Sequence, residues 1–357
     1  MTAARLLALV AAALLAIGGA LWLSSQRHLE SASLDGGAFL SALKPLVNDV
    51  DQISLRRGDG SATHVLRTAG GWRVQERDYP ADASKVRSLL LDLANAKIIE
   101  EKTHDPALYP LLGVEAVSGP GAGGIALELR AAKQTFAVIV GKPSGAQQGF
   151  ARVASQEASY LISPQLNVTA APANWIDLAL FNIAPERVAA VTISLAKAAP
   201  YTAARSDSKS ELVVSPLPAG RELISPNATA SLQSALTDLT ISDVTAAATA
   251  LATSSEPPAA AHCEVRTLDG LLINIDGRVS AENRFIRARV VANPAASTTL
   301  TNAARAEIAA LTARLQNREF EIPNYKFNAL FKPLEELLKP KAAPVKAAPA
   351  KSAAQKP

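Results

Sequence analysis

The sequence predicts an α+β fold: an N-terminal transmembrane helix followed by two tandem α+β repeats with mainly antiparallel sheets. Three observations predict it. Leu6 to Leu23 (LLALVAAALLAIGGALWL) runs for eighteen residues without a charge. Alternating strand patterns follow one another at short spacing without crossover helices, which favours antiparallel pairing. Short matches between the two halves recur in the same order. The expected organisation is an anchor over 1–28, a first repeat over 29–188, a second over 189–338 and a disordered Lys/Pro/Ala tail over 339–357.

The apolar run comes first. Rising about 1.5 Å per residue, it spans roughly 27 Å, just enough for a bilayer core. Arg5 precedes it, while Arg27, His28 and Glu30 follow, so the positive-inside bias puts the N-terminus in the cytoplasm and residues from about Gln26 onward in the periplasm. A cleaved signal peptide is the rival reading. Its apolar region would be shorter and end in small residues, where this chain has Trp22 and Leu23. An uncleaved signal anchor is the expectation.

The first copy opens with a strand at Ile53-Ser54-Leu55 and a second around Trp72-Arg73-Val74, then Tyr79-Pro80-Ala81-Asp82. Val86, Leu89, Leu90, Leu93 and Ala96 recur at helical spacing. Strands are then predicted at Ile125 to Arg130, Phe136 to Gly141 and Phe150 to Val153. In the second copy Ile193-Ser194-Leu195 matches the opening strand at an offset of 140. Leu212 to Val214 matches Trp72 to Val74 at the same offset, and Pro226 matches Pro80 at 146. Cys263 to Arg266 matches Leu127 to Arg130, and Gly277 matches Gly141, at 136; Arg289-Val290 follows Arg152-Val153 at 137. The offset jumps fall between elements, where loops tolerate insertion.

Ser225-Pro226 supplies an N-cap hydroxyl and a first-turn proline, with Leu232, Leu236 and Leu239 as the apolar face of a helix. Asn302 through Leu315 reads as a further amphipathic helix on Ile308, Leu311 and Leu315. Pro333 opens the last one, through Leu338. Beyond it KPKAAPVKAAPAKSAAQKP has only Val345 as a large apolar side chain and is expected to be extended and solvated.

Composition narrows the function classes. Hydrophobic residues make up 48% and aromatics 4%, a foldable chain biased to small residues. The single cysteine, Cys263, excludes an internal disulfide framework. The charge of +4 comes from the tail, whose five lysines (Lys339, Lys341, Lys346, Lys351, Lys356) face no acid; the remaining 31 basic residues stand against 32 acidic ones. A near-neutral body lacks the basic face that nucleic acid needs.

Catalytic signatures fare no better. Gly119 to Gly124 (GPGAGG) satisfies G-x-G-x-x-G, yet the alternating run Ile125 to Leu129 that follows predicts a strand where the dinucleotide motif needs a helix N-terminus. His28, His64, His104 and His262 are isolated in sequence. His262 neighbours Cys263, but adjacent strand residues point to opposite faces. Cys263 reads as a small core residue, Thr103-His104-Asp105-Pro106 as turn chemistry, and Trp72 and Trp175 as core aromatics. No catalytic, cofactor-binding or metal residue is predicted.

Taken together, Gly71-Trp72-Arg73-Val74, Tyr79 to Asp82, Leu90-Leu91-Asp92-Leu93, Tyr109-Pro110-Leu111-Leu112-Gly113-Val114 and Asn174-Trp175-Ile176-Asp177 resemble the bacterial family known as domain of unknown function 4340. The resemblance covers residues 50 to 190 well and the second copy loosely. It implies a chain with one N-terminal membrane helix, encoded beside ABC-type transporter components. The expectation is a non-enzymatic inner-membrane protein with its bulk in the periplasm, an accessory or scaffold subunit of an ABC-transporter-type complex. The alternative is a periplasmic binding module for a glycan, peptide or lipid, using a groove between the repeats.

Overall fold

The computed structural model describes residues 37–246, 261–295 and 300–341. Contacts divide the chain into two compact units, Met1–Asp177 and Leu178–Pro357, where the sequence reading put the junction at 188/189.

The described residues of unit 1 form one antiparallel sheet of nine strands. These are β1 (Val50–Arg57), β2 (Ala62–Thr68), β3 (Gly71–Val74), β4 (Tyr79–Pro80), β5 (Lys97–Thr103), β6 (Ile125–Ala131), β7 (Gln134–Ser144), β8 (Gln148–Val153) and β9 (Ser159–Ser163). They lie in the order β4-β3-β2-β1-β6-β7-β8-β9-β5. Period-two alternation sends Ile53, Leu55, Val65, Val74, Leu127 and Leu129 to one face, each at most 1% exposed. Helix α1 (Ala83–Asn95) buries Val86, Leu89, Leu90, Leu93 and Ala94. It starts at Asp82, whose carboxylate accepts from the Ser84 and Lys85 amides at 2.9 and 3.1 Å, satisfying donors the first turn leaves open.

Unit 2 repeats the ladder. Its strands are β10 (Ala179–Phe181), β11 (Val188–Leu195), β12 (Tyr201–Ala204), β13 (Val213–Ser215), β14 (Arg221–Leu223), β15 (Leu239–Thr240), β16 (Asp243–Ala246), β17 (Ala261–Thr267), β18 (Leu271–Ser280), β19 (Asn283–Ala292), β20 (Arg318–Glu321) and β21 (Leu338–Pro340). Eight form an antiparallel sheet in the order β13-β12-β11-β17-β18-β19-β20-β16, and β10-β15 and β14-β21 are separate pairs. Helices α2 (Asn302–Leu315) and α3 (Asn324–Leu330) follow β19 and β20.

The opening strand carries a bulge at the same place in both sheets. Val50 pairs with Ala131 and Gln52 with Arg130; Val188 pairs with Thr267 and Ala190 with Arg266. Counting from the bulge, Ile53 opposite Leu129 corresponds to Val191 opposite Val265. The match of Ile53 with Ile193 is therefore two residues out of register. A two-residue slip keeps every side chain on its own face, so hydrophobic pattern alone could not detect it. The next hairpin is one residue longer in unit 2: Arg130 pairs with Thr135, but Arg266 with Leu272. Gly277 therefore corresponds to Val140 rather than Gly141. A Cβ on Gly277 would meet the Phe331 ring at 2.5 Å, so the glycine makes room for that ring.

The expected class needs correction. Strand dominates the described residues, giving a mainly antiparallel β protein rather than α+β. Among them no helix is long and apolar enough to cross a membrane; Leu6 to Leu23, where a transmembrane helix was expected, lies outside the described residues. The second-copy helix is also lost. Pro226–Thr229 is a 3-10 turn with non-helical Asn227, Ala230–Gln233 adds one α turn, and Leu239 is already strand. Asn, Thr and Ser in that segment compete for backbone hydrogen bonds and favour turns. Ser225 makes no side-chain cap hydrogen bond. Where a last helix was expected from Pro333 through Leu338, the chain forms the 3-10 turn Leu334–Leu337 and then enters β21. Lys339 and Pro340, assigned to the tail, pair with Glu222 and Arg221; residues 342–357 lie outside the description.

Candidate functional site

Three of the motifs that carry the family resemblance, Gly71 to Val74, Tyr79 to Asp82 and Asn174 to Asp177, come together in unit 1. The Ala81 amide donates to the Trp72 carbonyl at 2.8 Å, Asp82 to Trp175 at 2.8 Å, and Asp177 to Pro80 at 2.9 Å. Lys85 Nζ reaches the Asn174 carbonyl at 2.9 Å. The Trp175 indole, 3% exposed, donates to Thr169 at 2.8 Å. These groups tie the start of α1 and the edge of the sheet to the end of the unit. Their polar capacity is spent on backbone, so the motif is a structural lattice.

The opposite, outer face of the same sheet holds the candidate site. Tyr109, Val114, Val117 and Ile139 form a buried cluster there. Tight backbone packing seats the segment that carries it: a Cβ on Gly124 would strike the Gly113 carbonyl, and one on Gly141 the Leu112 carbonyl. Beside the cluster Ala116, Ala126, Ala137 and Ala154 are too small to fill the space, leaving a cleft of about 570 Å³. Arg152, only 7% exposed, lines it. Its Nε donates to the Val114 carbonyl at 2.9 Å and Nη1 to Ala154 and Gln156 at 3.2 and 2.9 Å. The guanidinium lies 4.6 Å from the Tyr109 ring centre. Among the described residues no carboxylate pairs with it and Nη2 has no hydrogen-bond partner. Exposed Arg56 and Glu128 also line the cleft.

The register places Arg287 of unit 2 where unit 1 has Arg152: Ile139 faces Arg152 and Asp276 faces Arg287. Arg287 is 3.1 Å from Glu319, which is 3% exposed, and Arg278 contacts the same carboxylate at 2.5 Å. A cleft of about 920 Å³ adjoins them, lined by His262, Asp276, Arg287, Arg289, Thr312 and Arg318 among others.

The remaining sequence candidates scatter. His64 lies 2.6 Å from Glu76, His104 2.5 Å from Glu101 and His262 2.8 Å from Asp276; His28 lies outside the described residues. Cys263 is fully buried on the core face of β17, and burial pushes its thiol up to about 12. His262 points the other way. Among the described residues no group of three His, Cys, Asp or Glu could hold a metal ion. Asp105 caps the turn that follows it, accepting from Ala107 at 2.9 Å. Gly119 to Gly124 is a loop running straight into β6. Trp72, expected in the core, is only half-buried. Arg152 was visible in sequence only as part of a strand match.

These features define a class: an antiparallel β protein of two sheet-built units, whose clefts are lined by guanidinium groups. The family model described as Domain of unknown function (DUF4340) matches residues 72–260, more than half of the chain. The protein belongs to that family. No curated protein and no solved structure matches it.

Proposed function

We propose that this chain is a non-enzymatic envelope protein that acts by binding. It serves as an accessory or scaffold subunit of an ABC-transporter-type complex, on the periplasmic side of the inner membrane. The observation that supports this reading is a fixed apolar knob on unit 1. Leu111 is 69% exposed and Leu108 44%, while Tyr109 between them is buried and donates through its hydroxyl to the Glu157 carbonyl. Lys142 Nζ clamps the Pro110 and Leu111 carbonyls at 3.1 Å. Apolar side chains held outward on an ordered turn suit a protein contact, because little conformational entropy is lost on docking. A photo-crosslinker at position 111 of the full-length chain in native membranes should capture a transporter subunit, and Leu111→Asp should abolish co-purification without changing the melting temperature. Cross-linking no higher than at an exposed polar control position would overturn the reading.

A second reading, a periplasmic binding module for a glycan, peptide or lipid, is favoured by the cleft at Arg152. A guanidinium stays protonated at every physiological pH, so what it offers a ligand is recognition of negative charge.

A further inference from the structure

We propose that the unit 1 cleft binds a monocarboxylate carried on an apolar stem, with Arg152 as the carboxylate anchor. The proposal rests on the second reading above and leaves the partner contact at Leu111 untouched.

The argument starts from the charge. Arg152 is more than nine-tenths buried without a counter-ion among the described residues. Burying a charge is unfavourable unless it is paired or fully hydrogen-bonded. Three carbonyls and the Tyr109 ring provide part of that compensation. Arg205 of unit 2 shows what completion looks like. Its Nε donates to Val188, Nη1 to Ser208 and Ser210, and Nη2 to Pro185, so all three nitrogens are used inside the fold. Arg152 keeps Nη2 free of protein partners among the described residues while lining an open cleft. A guanidinium nitrogen in that position is suited to a charge-assisted bond with an oxyanion.

Charge count and lining set the ligand class. The charged side chains of the cleft are Arg56, Arg152 and Glu128, a net charge of +1, which one carboxylate neutralises and a phosphate dianion exceeds. The other lining side chains on this face are Val117, Ile139, four alanines and Ser118. At about 570 Å³ the cleft lies within the range of small-molecule sites. An acid with an aliphatic stem satisfies both parts.

The test is calorimetric titration of the full-length protein with octanoate below its micellar concentration, and with N-acetyl-leucine, which bears a carboxylate on an amino-acid stem. Saturable 1:1 binding of either supports the proposal, the tighter one marking an acyl or a peptide-terminal source. Octanol and octylamine should bind at least roughly tenfold more weakly, since neither can form the ionic hydrogen bond. Arg152 also supports three carbonyls, so the locating variant is Ala137→Leu, which fills the cleft from β7 and leaves the arginine in place. It should abolish binding with the melting temperature preserved. The proposal is overturned if neither acid saturates, if octanol matches octanoate, or if Ala137→Leu binds like the parent. None of these results depends on cross-linking at position 111, so the two readings fail separately.

Discussion

Arg152 and Arg287 occupy the same register position in the two sheets, but only Arg287 is paired with a carboxylate among the described residues. In unit 1 the guanidinium is nearly enclosed and held by carbonyls and a tyrosine ring. In unit 2 it is about one-third exposed and shares the buried Glu319 with Arg278. The inner faces of the two ladders kept their apolar alternation and even the same bulge. The outer faces diverged, because nothing in strand pairing constrains what a side chain meets on the side away from the core. The repeat is thus a scaffold, and function is to be sought where the copies differ.

The sharpest way to break this comparison is to remove the carboxylate on which unit 2 depends. Glu319→Gln leaves Arg278 and Arg287 facing each other around a neutral amide. Loss of one partner from a fully buried ion pair costs about 3–5 kcal/mol; both arginines are roughly 30% exposed, so the expected cost is at the lower end, about 3 kcal/mol. Thermal unfolding should show a clearly lowered midpoint. The double variant with Arg287→Gln should recover part of it, since the repulsion is then removed. No recovery would mean that Arg287 is not what Glu319 neutralises.

What the sequence revealed follows the same division. Strands with clean period-two alternation on a buried face, such as Leu127-Leu129-Ala131, were legible, as were α1 and the bounds of α2. The edge strands β4 and β5 were less so: β5 (KIIEEKT) is largely exposed on both faces, and so carries no alternation to read. The helix after Pro226 was misread because Leu232, Leu236 and Leu239 are all buried at 2% or less. Spacing shows that these residues point inward, but not that the backbone leaves the helix between them. The cleft was invisible for a related reason. An arginine in a strand gives no sign of whether its neighbours across the sheet are large or alanine, since Ala126 and Ala137 become its neighbours only once β6 and β7 pair.

The two element starts give a second comparison of smaller size. Asp82 accepts two amides at the start of α1, whereas Ser225, the N-cap of the 3-10 turn Pro226–Thr229, accepts none. Asp82→Ala should therefore cost about 1 kcal/mol, and Ser225→Ala nearly nothing. Denaturant midpoints at constant slope would measure both. Equal losses would show that unit 2 uses its serine in solution after all.

The smallest effect is a pH dependence at the far edge of unit 2. Glu321 lies directly across the ladder from Asp243, and burial first, then the Asp243 charge, hold its carboxyl above the usual value of 4.5. A carboxyl raised in the fold binds its proton more tightly there than in the unfolded chain, so its ionisation works against folding. The penalty is complete above the raised value, shrinks as pH falls through it, and vanishes below the ordinary glutamate range, where both states are protonated. Glu321→Gln removes the charge at every pH. It should stabilise the protein at pH 7 by about 0.2–1 kcal/mol, the scale of a cross-strand like-charge pair, and be neutral at pH 3. Melting temperatures of parent and variant across that interval decide it: curves that converge on acidification support the assignment, and a constant offset would assign the effect to packing rather than charge.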